Sequence, residues 1–265
     1  MTPTPKTGPK NVVITGASSG IGTALALHYA RLGATLGLIG RNKERLDAVA
    51  ARCQAAGAQG VKTGVIDVRA RAELMSWIAD FDQTAPVDLL FANAGVTGGT
   101  TADGAFEPNE LSLRLIETNV FGTFSSVHAI LPAMIARGHG QIALIGSLAG
   151  FVPLADSPSY CASKSAIMAY GLALGDALHP RGIKVSVICP GFVETPMSNS
   201  VASSKPFQIS ADDAAKRIAR NLERGRAIIA FPFPLAFAAR LGQFLPGGLR
   251  RWLSPPFRVR AGSSG

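Results

Sequence analysis

The sequence predicts an α/β fold: a doubly wound parallel sheet between two helical layers, in the order α/β/α, with a helical C-terminal extension. Three observations predict it. Short apolar runs alternate with helically patterned stretches from residue 11 to residue 191, the rhythm of strands joined by helical crossovers. Polar or glycine-rich signatures (TGASSGIG, GRN, DV, NAG, GS and PG) close those runs, and such sheets bind ligands beyond the carboxyl ends of their strands. Hydrophobic residues make up 47% of the 265 residues, enough to cover both faces of a large sheet.

The elements follow in order. NVVIT (11–15) is a short apolar run bounded by a glycine turn, which suits a buried parallel strand. Residues 20–32 show helical spacing. TLGLIG (35–40) is the second strand and precedes the polar helix RNKERLDAVAARCQAAG. A strand at 61–68, a helix near 71–82, a strand at 87–95 and a long helical region near 108–137 come next. QIALIGS (141–147), a helix over about 158–179 and KVSVICPG (184–191) complete the alternation. Beyond residue 197 the sequence predicts a helix over 210–225. Ser210 is placed as its N-cap, and Asp212 and Asp213 sit in its first turn, where the helix dipole favours them. RAIIAF (226–231) reads as the last strand. Residues 8–265 are expected to form one domain, with 197–265 as a substrate cover and a basic, apolar extension.

Composition excludes several classes. The opening MTPTPKTGPK has no apolar core and is read as a short flexible arm rather than a secretory signal. The apolar stretch 227–249 contains Arg240 and three prolines, which argues against a membrane span. Cys53, Cys161 and Cys189 are odd in number and far apart, so neither a disulfide framework nor a metal site is expected, and the cytoplasm is the simplest compartment. Residues 205–265 carry +8 of the total net charge of +9. Basic residues among large apolar ones at the end of the chain suit either peripheral contact with an anionic bilayer or a helix covering the substrate cleft or a dimer neighbour, its arginines solvated. No nucleic-acid motif accompanies the charge, and no nucleic-acid partner is expected.

Two motifs carry chemistry. In TGASSGIG, Gly16, Gly20 and Gly22 follow the first strand and open the first helix, the place where backbone N–H groups and the helix dipole meet a phosphate. In YCASK, Tyr160 and Lys164 lie four residues apart and share one face of a helix. A cation beside a phenol lowers its pKa and brings it toward use as an acid or base.

Together TGASSGIG, NAG (93–95), Ser147, YCASK (160–164) and PGFVETPM (190–197) resemble the classical short-chain dehydrogenase/reductase family over residues 10–197, with a Rossmann-type sheet. The resemblance implies hydride transfer between a nicotinamide cofactor and a carbonyl/alcohol pair. It implies Tyr160 as the acid/base, Lys164 on the ribose hydroxyls and lowering the tyrosine pKa, Ser147 orienting the substrate oxygen, and Asn119 anchoring a water-linked proton path. It assigns the cofactor to Gly16, Ser18, Ser19, Gly20, Ile21 and Gly22 of the glycine turn. Asp67 and Val68 fall near the adenine, and Asn93, Ala94 and Gly95 brace the neighbouring strand. Pro190, Gly191, Val193 and Thr195 fall around the nicotinamide.

The second strand ends in Gly40–Arg41–Asn42, where NAD enzymes usually carry an acidic residue. A guanidinium there suits a 2′-phosphate. NADP(H) is therefore expected over NAD(H), with Arg41 as discriminator and Ser18 and Asn42 as helpers. Leu148, Phe151, Val152, Phe192 and Met197 flank the catalytic positions in sequence and suggest an apolar carbonyl or alcohol substrate. The alternative is a catalytically silent NADP(H) sensor that docks through its tail. A homo-oligomer is expected through helices 108–137 and 158–179, a dimer in preference to a tetramer.

Overall fold

The computed structural model describes residues 8–100, 105–199, 201–202, 205–249 and 260–261. Its centre is a seven-stranded parallel sheet. β1 (Asn11–Thr15), β2 (Thr35–Gly40), β3 (Gly60–Val65), β4 (Leu89–Ala92), β5 (Gly140–Ile145), β6 (Ile183–Pro190) and β8 (Ile228–Phe231) lie in the order β3-β2-β1-β4-β5-β6-β8. The two-residue strands β7 (Val201–Ala202) and β9 (Arg260–Ala261) pair antiparallel outside it. Val12 of β1 is in register with Leu36 of β2 and with Leu89 of β4. The strand order reverses between β1 and β4, and a crevice opens beyond their carboxyl ends. This is a Rossmann-type fold.

Helices cover both faces. α1 (Gly20–Arg31), α2 (Lys43–Ala55) and α8 (Ala211–Glu223) pack on one side through Leu25, Leu46, Ile218 and Leu222. α3 (Arg71–Thr84), α5 (Gly122–Arg137), α6 (Pro158–Leu178) and α9 (Phe233–Gly242) cover the other through Ile78, Ile130, Ile167 and Ala236. Such fully buried leucines and isoleucines contribute about 1.5–3 kcal/mol each relative to exposure. The side of α3 and α5 is tied by a partly buried ion pair: Arg137 Nη1 donates to Asp82 Oδ2 at 2.7 Å, while Asp82 Oδ1 accepts from the Val87 N–H just before β4.

The alternation and the last strand agree with the sequence pattern, and the boundaries shift. The third strand ends at Val65, three residues early, because Asp67 accepts from the Arg69 N–H in a tight turn. The long helix expected over 108–137 is α4 (Asn109–Ile116), a π-helical turn (Glu117–Phe121) and α5. α9 begins at Phe233 with Pro234 in its first turn, where a missing N–H costs nothing. The flexible arm expected at the N-terminus and most of the basic-aromatic end lie outside the described residues. Among the described residues, one helical stretch, Asn109–Arg137, is long and apolar enough to cross a membrane by length and composition, and half of its apolar window is buried within the protein.

α6 sits close against β5 and β6 because Gly171 faces them: a Cβ there would collide with Val187 and approach Leu144 Cδ1 to 2.9 Å. Gly171→Ala gains about 1 kcal/mol of helix propensity and loses more to overpacking against a stiff β-branched side chain, about 1–3 kcal/mol. A net loss of stability is expected in urea or thermal unfolding. An unchanged midpoint would mean that α6 has room to retreat.

Candidate active site

The carboxyl ends of β1 and β4 lie side by side, and the site starts there. After β1 the backbone turns at Gly16 (φ +67°) and Gly20 (φ +55°), left-handed conformations that glycine adopts without steric cost. A Cβ on Gly22 would collide with the Gly16 carbonyl, so this glycine sits behind the turn and holds it tight. Asn93 braces the turn from β4. Its Nδ2 donates to the carbonyls of Thr15 (2.8 Å) and Gly16 (3.1 Å), while Thr15 Oγ1 accepts from the N–H groups of Asn93 and Ala94. Asn42 caps α2, and Ser210 caps α8 as the sequence predicts. Ser19, heading α1, makes no side-chain cap bond, and the first turn holds no acidic residue. The N–H groups of that turn therefore remain available to an anion. This glycine-rich cradle, with its unpaired helix N–H groups, fits the pyrophosphate of a dinucleotide.

A cleft of about 190 Å³ runs along this turn. Of the residues expected at a cofactor, Gly16, Ser18, Ser19, Gly20, Ile21, Arg41, Asn42, Asp67, Val68, Asn93, Ala94, Gly95, Lys164 and Thr195 line it. Arg41 is 58% exposed and its Nη1 lies 3.8 Å from Asp67 Oδ2, an ion pair without hydrogen-bond contact. Arg69 holds Asp67 more firmly, with Nη2 at 2.8 Å from Oδ2 and Nε at 3.1 Å from Oδ1. The Arg69 side chain holds the Asp67 carboxyl below its ordinary pKa, with Arg41 contributing least. Asp67 is thus committed to Arg69, and Arg41 keeps its donors for a ligand. Asn42 lines the cleft while its Oδ1 accepts from the Arg45 N–H at 2.8 Å.

The acid/base cluster is built from three elements. Tyr160 and Lys164 lie one turn apart on α6, as the spacing predicts. Lys164 is 5% exposed; its Nζ donates to the Ile145 carbonyl at 2.9 Å and lies 5.7 Å from the centre of the Tyr160 ring. Burial lowers its pKa to about 8. Burial raises the Tyr160 pKa, and a hydrogen bond with Ser147 acts in the opposite sense without reversing it. Among the protein's own groups desolvation of the phenol dominates, and Lys164, whose Nζ lies over the ring, is not among the charges that move it. Ser147 Oγ accepts from the Ala149 N–H at 3.1 Å, capping a 3-10 turn (Leu148–Gly150). That leaves its proton to donate to the phenol. Asn119, in the π-helical turn, is buried. Its Oδ1 accepts from Val96 N–H (2.8 Å), and its Nδ2 donates to Val96 O (3.0 Å) and Ser163 Oγ (3.0 Å), tying the loop after β4 to α6. Gly95 lies beside both Asn119 and Lys164.

An adjoining cavity of about 470 Å³ is lined mainly by apolar groups, with Ser147 and Tyr160 in its wall. Ile21, Thr195 and Met197 border both spaces. Leu148, Val152, Phe192 and Met197 line it, and so do Pro190, Gly191 and Val193, which the resemblance assigned to the nicotinamide and which do not line the cleft at the glycine turn. Phe151 does not line the cavity. The 3-10 turn that Ser147 caps carries it into the core, where the Arg240 guanidinium sits 5.3 Å from its ring centre. Leu235, Ala238, Ala239 and Gly242 of α9, with Leu245 beyond it, form another wall.

Residues 10–206 match the short chain dehydrogenase family. The chain belongs to that family. It is 35% identical over 241 residues to an uncharacterized oxidoreductase of Myxococcus xanthus, covering 91% of this chain and 94% of that one. It is 32% identical over 239 residues to human estradiol 17-beta-dehydrogenase 11, covering 89% and 79%. Among solved structures it resembles a short-chain dehydrogenase from Sphingobium yanoikuyae in complex with NADPH, with a TM-score of 0.78, 29% identity and coverage of 94% and 96%. Structures sharing the fold hold NADPH in some cases and NAD in others. This short-chain dehydrogenase is accordingly an oxidoreductase acting on a CH–OH/C=O pair of a small molecule.

Sequence reasoning did not find Arg69, and it placed a helix over the substrate cleft without naming Leu235, Ala238, Ala239 or Gly242 as its wall. The charged pair two residues apart at Asp67 and Arg69 was the available signal for the first. Lys164 supplies a testable pH dependence. An anionic dinucleotide favours the charged lysine, so the complex holds its proton to higher pH than the free protein does. By linkage, affinity is constant below about pH 8 and declines as pH rises through that value. Fluorescence titration with NADPH should show the decline, and Lys164→Met should remove it. The same slope in both proteins would assign it to another group.

Proposed function

We propose that the chain is an NADP(H)-dependent oxidoreductase that interconverts a carbonyl and an alcohol on an apolar substrate, with Tyr160 as the acid/base. The observation that carries this reading is the division of one helix face between two spaces. Tyr160 lines the apolar cavity, and Lys164, one turn along, lines the cleft beneath the glycine turn. When bound, the nicotinamide supplies or accepts the hydride. Ser147 orients the substrate oxygen, and Tyr160 gives its proton to that oxygen in reduction. The raised pKa of Tyr160 keeps the phenol protonated at neutral pH, which suits a proton donor. Lys164 holds the ribose, and Asn119 positions the loop and helix that flank it.

Arg41 is the group assigned to the 2′-phosphate, supported by its exposure and its loose tie to Asp67. The apolar lining supports a lipid-like or polycyclic ketone, and a relative named for estradiol agrees with that class. The chain is read as one domain over residues 8–265, with the part from 197 onward covering the substrate. Exposed Leu113 of α4 and Phe121 of the π-helical turn support a dimer through the helical region 108–137, together with 158–179. The buried free cysteines suit a cytoplasmic setting.

The deciding experiment is NADPH and NADH consumption against ketones graded from small and polar to long-chain and polycyclic. Turnover is expected at the apolar end with NADPH, and reduction of small polar sugars alone would overturn the substrate class. Tyr160→Phe should lower turnover by about 10²–10⁴-fold while NADPH still binds. Retained turnover would remove Tyr160 from the chemistry. Arg41→Asp should reduce the NADPH/NADH preference by about 10–100-fold, the worth of one charge-assisted contact. An unchanged ratio would refute the Arg41 assignment.

A further inference from the structure

α9 has two apolar faces. Leu235, Ala239 and Gly242 face the substrate cavity. On the opposite side Phe233, Phe237 and Leu241 recur at every fourth position, within an arc of about 80° at about 100° per residue. Phe244 follows in the next turn. Phe233 and Phe244 are 77% and 84% exposed, and Phe237 and Leu241 are more than half exposed. The rings of Phe233 and Phe237 stack with centroids 6.1 Å apart, and Leu241 continues the same row one turn farther on. Singly exposed apolar residues are ordinary on a protein surface; a contiguous strip of large ones marks a contact surface.

Charge identifies the partner. From Ala227 to the C-terminus the sequence contains no Asp or Glu and five arginines: Arg240, Arg250, Arg251, Arg258 and Arg260. A second copy docking through the same surface would set this acid-free segment against itself, at a cost in like-charge repulsion. An anionic lipid surface meets both the aromatic strip and the positive charge. The ten residues of α9 span about 15 Å, half of the ~30 Å hydrocarbon core, so the helix can lie in a membrane surface and does not cross it. We propose that the outer face of α9 docks on an anionic bilayer and that apolar substrate reaches the cavity along this helix. The delivery role rests on the apolar-substrate reading; the docking does not.

The test is flotation of the purified full chain with vesicles of phosphatidylcholine alone and of phosphatidylcholine with phosphatidylserine. Binding to the phosphatidylserine vesicles is expected, weakened by salt. The triple substitution Phe233→Asp, Phe237→Asp and Phe244→Asp should reduce it about tenfold or more, with NADPH oxidation on a short soluble ketone unchanged. Should that variant unfold, Phe244→Ser, beyond the end of α9, is read instead, with the same loss in direction. The proposal is overturned if the wild-type chain leaves phosphatidylserine vesicles unbound or if the variants bind as well as wild type. It is equally overturned if wild type is a dimer that the substitutions split while no vesicle binds, which assigns the strip to a second copy. Absence of ketone turnover in wild type would count against the proposed reaction and leaves the flotation result readable on its own.

Discussion

Lys164 donates to the Ile145 carbonyl at 2.9 Å from a nearly inaccessible position, and the arrangement of the site depends on that bond. Burying an ammonium group is costly unless it is paired, and among the described residues no carboxylate approaches it. Its pKa of about 8 records the strain. An ammonium group has three donors; one goes to the end of β5, and the cleft lies beside the others. The close packing of α6 at Gly171 holds the helix at the depth where this contact is made. Tyr160, one turn earlier, is thereby brought beside Ser147 at the neighbouring wall. A helix lying farther out would lose the lysine contact and the tyrosine position together.

The electrostatics of the pair are not those of an isolated motif. In sequence, a lysine four residues from a tyrosine suggests a phenol of lowered pKa. In the fold the ammonium lies over the ring rather than against the oxygen, and the surroundings that desolvate one group desolvate the other. Each neutral form is favoured, upward for tyrosine and downward for lysine. The lysine, ordinarily at 10.5 against 10.0 for tyrosine, falls to about 8 while the tyrosine rises, so the two values cross and separate. In the proposed reaction the burial therefore keeps the proton on the phenol, where a donor to the substrate oxygen needs it.

The strand–helix alternation, the glycine turn after β1 and the grouping of Ser147, Tyr160 and Lys164 were legible in the sequence, because each rests on local pattern or on motifs in order, whereas the switch point between β1 and β4 depends on the strand order of the whole sheet. The π-helical turn at Asn119 was not legible: its one-residue change of phase is invisible in an apolar pattern that continues on either side. Phe151 illustrates a second limit. It is four residues from Ser147, yet a single capped 3-10 turn sends it to the core while Leu148 and Val152 face the cavity. A cover over the substrate from this segment was read in the sequence, but which α9 residues form the wall depends on β8 joining the sheet beside β6, a contact between segments far apart in the chain.

α9 also departs from the usual design of a surface helix, whose large apolar residues face inward. Here Ala236, Ala239 and Gly242 are buried, and Gly242 lies so near Val152 that a Cβ would stand 3.1 Å from its Cγ2. Small residues inside let the helix approach closely and leave space for a cavity beside it. Apart from Leu235, which lines the cavity, the large residues Phe233, Phe237 and Leu241 are outside, where water would meet them. Folding of the chain alone gains nothing from that placement, since apolar area left in water contributes no burial energy. The docking proposed for this helix accounts for bulk on the outer face and economy on the inner one together, since an apolar, anionic surface would receive both the aromatic strip and the acid-free, arginine-bearing sequence around it.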